Sequence, residues 1–104
     1  MIVADFFSDR DNKLTGFCVT GHAGLADYGE DVCCASVSSA VMMAANTITE
    51  AFRLDAQVEV NENEIKLMLP SDPDGSGDKV LLGLMIHLNN MADEFVGHIK
   101  VRVG

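Results

Sequence analysis

A histidine and two neighbouring cysteines lie on either side of a segment that contains Gly24 and Gly29. His22 follows an apolar run, and Cys33 and Cys34 come near the start of a run with helical spacing. An imidazole near a thiolate can hold it as an ion pair and can protonate a departing amine. These residue types therefore predict nucleophilic catalysis by a cysteine.

A helix predicted to begin at Asp31 would place the cysteines close to unpaired backbone N–H groups. With Asp31 as the N-cap, Cys34 takes the third helical position, where these groups and the helix dipole favour a thiolate. Asp31 has an alternative role, in which its carboxylate orients the imidazole of His22 as the third member of a triad. Ser38 follows Cys34 by one turn on the same face, and it either hydrogen-bonds within the site or packs against the protein.

The hydrophobic pattern of this helix does not choose between Cys33 and Cys34. Their side chains lie about 100° apart, and either can point inward. The apolar stripe runs between these two directions and consists of Val37, Val41, Ala44, Ala45, Ile48 and Phe52. Cys18, in a predicted strand, is expected to be a small buried hydrophobe.

Other kinds of cysteine site fit the spacing less well. Structural zinc takes four ligands, with cysteines separated by two to four residues, and adjacent cysteines do not provide this. The sequence contains neither the Cys-x-x-Cys pair of thioredoxin-like proteins nor the glycine motifs that bind nucleotides. We therefore expect no metal and no other cofactor.

The elements that must position these residues are predicted in the order ββαββαβ. Strands are predicted at 2–7, 13–20, 57–61, 64–69 and 98–103, and residues 21–30 are predicted to form a loop. A second helix is predicted with Asp78 as its N-cap and Gly97 at its end. Its buried stripe is expected to contain Leu81, Leu84, Met85, Leu88, Met91, Ala92 and Phe95. Hairpins predict a mainly antiparallel sheet, and two helices on one face make a two-layer α+β fold.

Length and composition limit the organisation of the chain. The 104 residues, 48% of them apolar, predict a single domain over residues 1–104. The sequence contains no run of eighteen apolar residues, so we expect no membrane span. The N-terminus lacks the basic region of a secretory signal. Three cysteines, two of them adjacent, make a poor disulfide framework, so we expect a reduced, cytoplasmic setting.

The net charge of -9 argues against direct binding of nucleic acid, which needs a basic face. Such an acidic surface favours solubility, and it can also steer a basic partner towards the protein.

The segment 21–38 resembles the ribosomal-processing cysteine proteases of bacteria, the Prp family. The family pattern is Gly-His-Ala, a loop with Gly-x-Asp, an aliphatic pair, Cys, small residues and Ser. Its positions fall here on Gly21, His22, Ala23, Gly29, Asp31, Cys34 and Ser38. The predicted element order agrees with the family over essentially the whole chain. One departure is Cys33, which stands where the family usually has an aliphatic residue and is therefore expected to belong to the core.

The resemblance implies a catalytic pair and leaves the neighbouring residues in supporting roles. Cys34 would be the nucleophile and His22 the general acid and base, with Gly21, Asp31 and Ser38 at positions of the family's site motif. The loop would shape around the peptide through Gly24, Leu25, Tyr28 and Gly29.

Members of the family remove an N-terminal extension from a protein of the large ribosomal subunit, as homodimeric cytoplasmic enzymes. That resemblance implies a basic substrate, which suits the acidic surface of this chain. Two alternatives remain at this point. One is a dimeric binding module that docks on the ribosome without catalysis, and the other is a different thiol hydrolase on the same scaffold.

Overall fold

The computed structural model describes residues 1–21 and 28–104, and it describes side chains outside 28–31. Within these described residues, five strands and two helices follow the predicted order ββαββαβ. The strands are β1 (Ile2–Ser8), β2 (Leu14–Thr20), β3 (Gln57–Asn61), β4 (Glu64–Met68) and β5 (Ile99–Val103). The helices are α1 (Tyr28–Asn46), which continues into a π-helical turn (Thr47–Ala51), and α2 (Ser76–Glu94).

The strands form one sheet in the order β3-β4-β2-β1-β5. β1 and β5 pair in parallel, whereas β1–β2, β2–β4 and β3–β4 are antiparallel. The predicted two-layer α+β fold with a mainly antiparallel sheet is therefore confirmed.

The sheet topology determines where each helix lies. β2 and β3 are parallel to each other with β4 between them, so a right-handed crossover carries α1 above β4. β4 and β5 are likewise parallel with β2 and β1 between them, and α2 packs on β2 and β5. By this rule both crossovers lie on the same face, and among residues 1–21 and 28–104 no helix lies on the other face.

One face of the sheet forms the core because apolar residues alternate along the strands. Phe6 of β1 lies opposite Phe17 of β2, which lies opposite Leu67 of β4. All three are fully buried, and the two phenylalanine ring centroids lie 6.3 Å apart. Burial of each such side chain contributes about 1.5–3 kcal/mol.

The opposite face of the sheet is more polar and partly exposed. It carries Asp5, which lies beside Arg102 on the parallel strand β5 and forms an ion pair with it at 2.6 Å. Hydrogen bonding to Arg102 lowers the pKa of Asp5.

The apolar stripe of α1 is confirmed along most of its length. Val37, Val41, Ala44, Ala45 and Ile48 are all buried. Phe52 is half exposed, so its predicted place in the stripe is wrong. The π-helical turn at Thr47–Ala51 adds a residue to the turn and moves Phe52 out of the 3.6-residue period.

Residues Val32–Ala51 are long and apolar enough to cross a membrane when judged by length and composition alone. In the fold, Val37, Val41 and Ile48 of this segment are fully buried in the core cluster. We therefore assign the segment to the protein core.

Both predicted helix starts are wrong. α1 already includes Tyr28, three residues before Asp31, because the cost of Gly29 in a helix, about 1 kcal/mol, is too small to stop the helix by itself. α2 begins after Gly75, and Asp78 is its third residue instead of its N-cap.

Two aspartates of the preceding loop bind the first N–H groups of α2. Asp72 accepts hydrogen bonds from the backbone N–H groups of Gly77 and Asp78, both at 2.9 Å. Asp74 accepts one from Ser76 at 3.0 Å. The carboxylate of Asp78 is therefore available to accept a hydrogen bond from the backbone of Leu14 at 2.7 Å, which ties α2 to the start of β2.

The end of α2 differs slightly from its prediction. The helix ends at Glu94, and Gly97 lies in the following turn with a φ of 84°. That left-handed conformation suits glycine and leads the chain into β5.

Gly21 ends β2 in a conformation that only glycine adopts easily. Its φ is 85°, and its N–H donates a hydrogen bond to the carbonyl oxygen of Asn63 at 3.2 Å. A Cβ atom at this position would overlap the backbone carbonyl oxygen of Met1. The backbone conformation directly before His22 thus requires a glycine at position 21 of the motif.

We expect Gly21→Ala to destabilise the protein more than Gly97→Ala. Both glycines have φ near 85°, but a Cβ at Gly97 meets no atom within 4 Å. The Gly97 variant therefore carries only the backbone strain, about 1–2 kcal/mol, whereas the Gly21 variant adds the overlap with Met1. Urea denaturation followed by circular dichroism measures both, and equal losses of unfolding free energy would contradict the overlap.

Candidate active site

The two adjacent cysteines occupy different environments. Cys33 is 1% exposed and belongs to the core cluster. Cys34 is partly exposed and packs against that cluster from its edge. The rotation of about 100° between neighbouring helical residues produces this difference. Of the two thiols, only that of Cys34 reaches solvent.

Cys34 is the seventh residue of α1, not the third helical residue as predicted. Unpaired N–H groups belong to the first four residues of a helix, and the influence of the helix dipole falls off within the first turn. The predicted placement of this thiol in the first turn is therefore wrong. Activation of Cys34 requires a neighbouring base.

Cys34 and Ser38 lie on the flank of α1 that faces away from α2. Ser38 lies about 40° from Cys34 around the helix axis, whereas Ser36 and Met43 lie about 160° and 180° from it. Ser36 and Met43 face α2, because both line the groove between the helices. Ser38 is half-buried and follows Cys34 by one turn of α1. Its supporting role stays a prediction.

The groove between α1 and α2 has a volume of about 940 Å³. Small and apolar residues line it, among them Ser36, Ala40, Met43, Val80 and Leu84. It opens on the flank of α1 opposite Cys34, so it is separate from the candidate nucleophile.

Several predicted site residues fall outside what the structure describes. His22, Gly24 and Leu25 lie outside the described residues. Tyr28 and Gly29, predicted in the substrate loop, are the first two residues of α1, so the predicted loop ends too late. The pairing of His22 with Cys34 stays a prediction.

Asp31 lies in the first turn of α1, and its side chain is also outside the description. Its predicted N-cap position is excluded by the helix start at Tyr28. Its role towards His22 stays a prediction.

Sequence reasoning missed the hydrogen-bond partner of Gly21, the residue directly before His22. Gly21 is bonded to Asn63, in the turn between β3 and β4. No local pattern signals this contact, because it arises only when β2 pairs with β4 and brings Thr20 opposite Glu64.

Cys18 lies on the open face of the sheet and is half-buried. Burial raises the pKa of its thiol, and the nearby negative charge of Glu64 raises that pKa further. Within residues 1–21 and 28–104, no group of three or more His, Cys, Asp or Glu side chains is arranged to hold a metal ion.

We expect iodoacetamide to modify Cys34 before the other two cysteines at neutral pH. The raised pKa of Cys18 leaves less of the reactive thiolate at that pH, and burial shields Cys33. A time course of peptide mapping by mass spectrometry measures the order. Modification of Cys18 or Cys33 as fast as Cys34 would contradict it, and denatured protein provides the control in which all three react.

The model of the family described as Cysteine protease Prp matches residues 1–100 of the chain. The chain is 22% identical to the ribosomal processing cysteine protease Prp of Bacillus subtilis, and the match covers 97% of this chain and 96% of that relative. It is also 22% identical to the protein of the same name from Staphylococcus aureus, with 97% of each chain covered.

Solved structures of similar proteins have the same fold. The crystal structure of the Staphylococcus aureus protease Prp in complex with a substrate peptide superposes with a TM-score of 0.92 at 18% identity, over 100% of both chains. A protein from Streptococcus mutans superposes with a TM-score of 0.88 at 22% identity, over 99% of this chain and 96% of that chain. With a family match over nearly its whole length, the chain belongs to the cysteine protease family Prp.

Proposed function

We propose that this protein is an endopeptidase that removes the N-terminal extension of a large-subunit ribosomal protein, with Cys34 as nucleophile and His22 as general acid and base. The observation that supports this assignment is the contrast between the two thiols: Cys34 is partly exposed and Cys33 is buried. The relatives from Bacillus subtilis and Staphylococcus aureus carry the name ribosomal processing protease.

In the proposed reaction, the thiolate of Cys34 attacks the scissile carbonyl carbon and a C–S bond forms. The C–N bond then breaks as the imidazolium of His22 gives its proton to the departing amine. His22 next takes a proton from water, whose oxygen attacks the acyl group and releases the thiolate. No cofactor takes part in this reaction.

The neighbours of the pair take supporting roles in the proposal. Gly21 directs the chain out of β2 towards His22 through its left-handed backbone. Ser38 stands beside Cys34 on one flank of α1 and is suited to bond a polar group of the site. Gly24, Leu25 and the start of α1 would border the bound peptide.

The charge of the protein favours the proposed substrate. A net charge of -9 attracts a basic ribosomal protein and repels nucleic acid. All three cysteines are thiols, which fits the cytoplasmic location that we propose.

We also propose that two copies associate through the helix layer. Met43 is 65% exposed and Ile86 is 52% exposed, and Met43 lines the groove between α1 and α2. Exposed apolar side chains beside a groove are typical of an association surface. Met43→Lys is expected to shift the protein to monomer in sedimentation equilibrium. Val96→Lys is the control, because Val96 is exposed but lies beyond the end of α2.

We expect Cys34→Ala to lower the rate of cleavage by about 10³-fold or more, since it removes the nucleophile. His22→Ala is expected to have a similar effect. Cys33→Val keeps an apolar side chain at a buried position and is expected to retain activity. Mass spectrometry of the extended ribosomal protein after incubation measures the cleavage.

The same assay separates the alternative readings. A binding module would bind the extended protein without cutting it, and the Cys34 variant would behave like the wild type. If Cys33→Val lost activity while Cys34→Ala kept it, the nucleophile would be Cys33.

A further inference from the structure

The edge strand β3 presents two exposed apolar side chains, those of Val58 and Val60. Val58 lies opposite Leu67, and Val60 lies opposite Ile65, so all four face the helix layer. Leu67 and Ile65 are buried, whereas Val58 is 39% exposed and Val60 is 61% exposed. The helix layer therefore ends above β4. The uncovered surface formed by Val58 and Val60 is called the β3 shelf below.

Cys34 lies on the side of α1 that borders this shelf. By the right-handed crossover rule, α1 passes above β4. α2 packs against one side of α1, which leaves β3 towards the other side. Since Cys34 and Ser38 occupy the flank opposite the α1–α2 groove, they face towards β3.

The direction of α1 places Cys34 at the Val60 end of the shelf. β2 ends at Thr20, which lies opposite Glu64, and Glu64 lies opposite Asn61. The chain enters α1 from this end of the sheet and runs back above β4. Cys34, close to the start of α1, therefore lies nearer to Val60 than to Val58.

Gly21, which directly precedes His22, is hydrogen-bonded to the hairpin formed by β3 and β4. The N–H of Gly21 donates to the carbonyl oxygen of Asn63, in the turn that joins β3 to β4. Gly21, the last described residue before His22, is thus tied to the hairpin that carries the shelf.

The charges around the shelf indicate what can bind there. Residues 55–64 contain four carboxylates and no lysine or arginine. Asp55 precedes β3 and Glu62 lies in the turn after it, at the two ends of the shelf, whereas Glu59 and Glu64 alternate with the inward-facing residues and lie on the opposite face of the sheet. A second copy bound edge to edge would bring two such segments together, and like charges in register are unfavourable. A peptide with an apolar side chain and basic neighbours is complementary to the valines of the shelf and to the carboxylates near it.

We propose that the β3 shelf is a specificity-determining surface, on which Val60 and Val58 seat an apolar side chain of a basic substrate peptide beside Cys34. This inference rests on the proposed function and adds the surface that positions the scissile bond. A peptide held there runs between the edge of the sheet and the flank of α1.

The test compares Val58→Thr combined with Val60→Thr against Val103→Thr. Threonine keeps the β-branched shape and the strand propensity but replaces a methyl group with a hydroxyl. Val103 is a matched control, because it is 56% exposed on the opposite edge strand and, opposite Phe6, faces the same side of the sheet. The probe is a synthetic peptide that spans the N-terminal extension and the cleavage site of the ribosomal protein.

We expect the double variant to lower kcat/KM by about tenfold and Val103→Thr to leave it unchanged. The rate at which iodoacetamide modifies Cys34 should stay the same in both, which separates lost peptide contacts from a damaged thiol. A second peptide, in which serine replaces every apolar residue of the extension, should be a poor substrate for the wild type. The double variant should then lower its cleavage no further, since the contact is already lost.

Three other outcomes would each contradict the inference in a different way. Equal cleavage of the first peptide by the wild type and the double variant would leave the proposed function intact and exclude the shelf. A shift from dimer to monomer in the double variant would assign the shelf to a second copy of the chain. A wild-type protein that leaves the peptide intact would contradict the proposed function itself.

Discussion

The packing of α1 against the sheet is the interaction on which the rest of the structure depends. Val37, Val41 and Ile48 are fully buried in the core cluster, and Cys33 is buried with them. This contact fixes the rotation of the helix about its own axis. Because neighbouring helical residues differ by about 100°, burial of Cys33 turns Cys34 towards the edge of the core and towards solvent.

The crossover of α1 above β4 gives its two flanks different surroundings. One flank meets α2 and forms a groove with it, lined by residues that include Met43 and Leu84. The other flank carries Cys34 and Ser38 and borders an edge strand that the helix layer does not cover. One helix thus separates the groove that it forms with α2 from the surface that carries Cys34.

The element order and the buried face of each element could be predicted from the sequence, because both depend on the periodicity of apolar residues. Leu81, Leu84, Leu88 and Met91 are buried in α2 as predicted. The predicted start of α2 was wrong because the carboxylates that bind its first turn come from the preceding loop, above all from Asp72. Phe52 was misplaced because the π-helical turn changes the period, and no residue type in Thr47–Ala51 marks such a turn.

The sequence by itself determined the family motif, the α+β order and the residue types available for thiol chemistry, since these are properties of residues close together along the chain. The tertiary structure decided which of two adjacent cysteines reaches solvent, and it brought Asn63 into hydrogen-bond contact with Gly21, directly before His22. It also decided that Val58 and Val60 stay uncovered. These features depend on how far the helix layer extends over the sheet and on the pairing of strands distant in sequence, and neither is encoded in a local pattern.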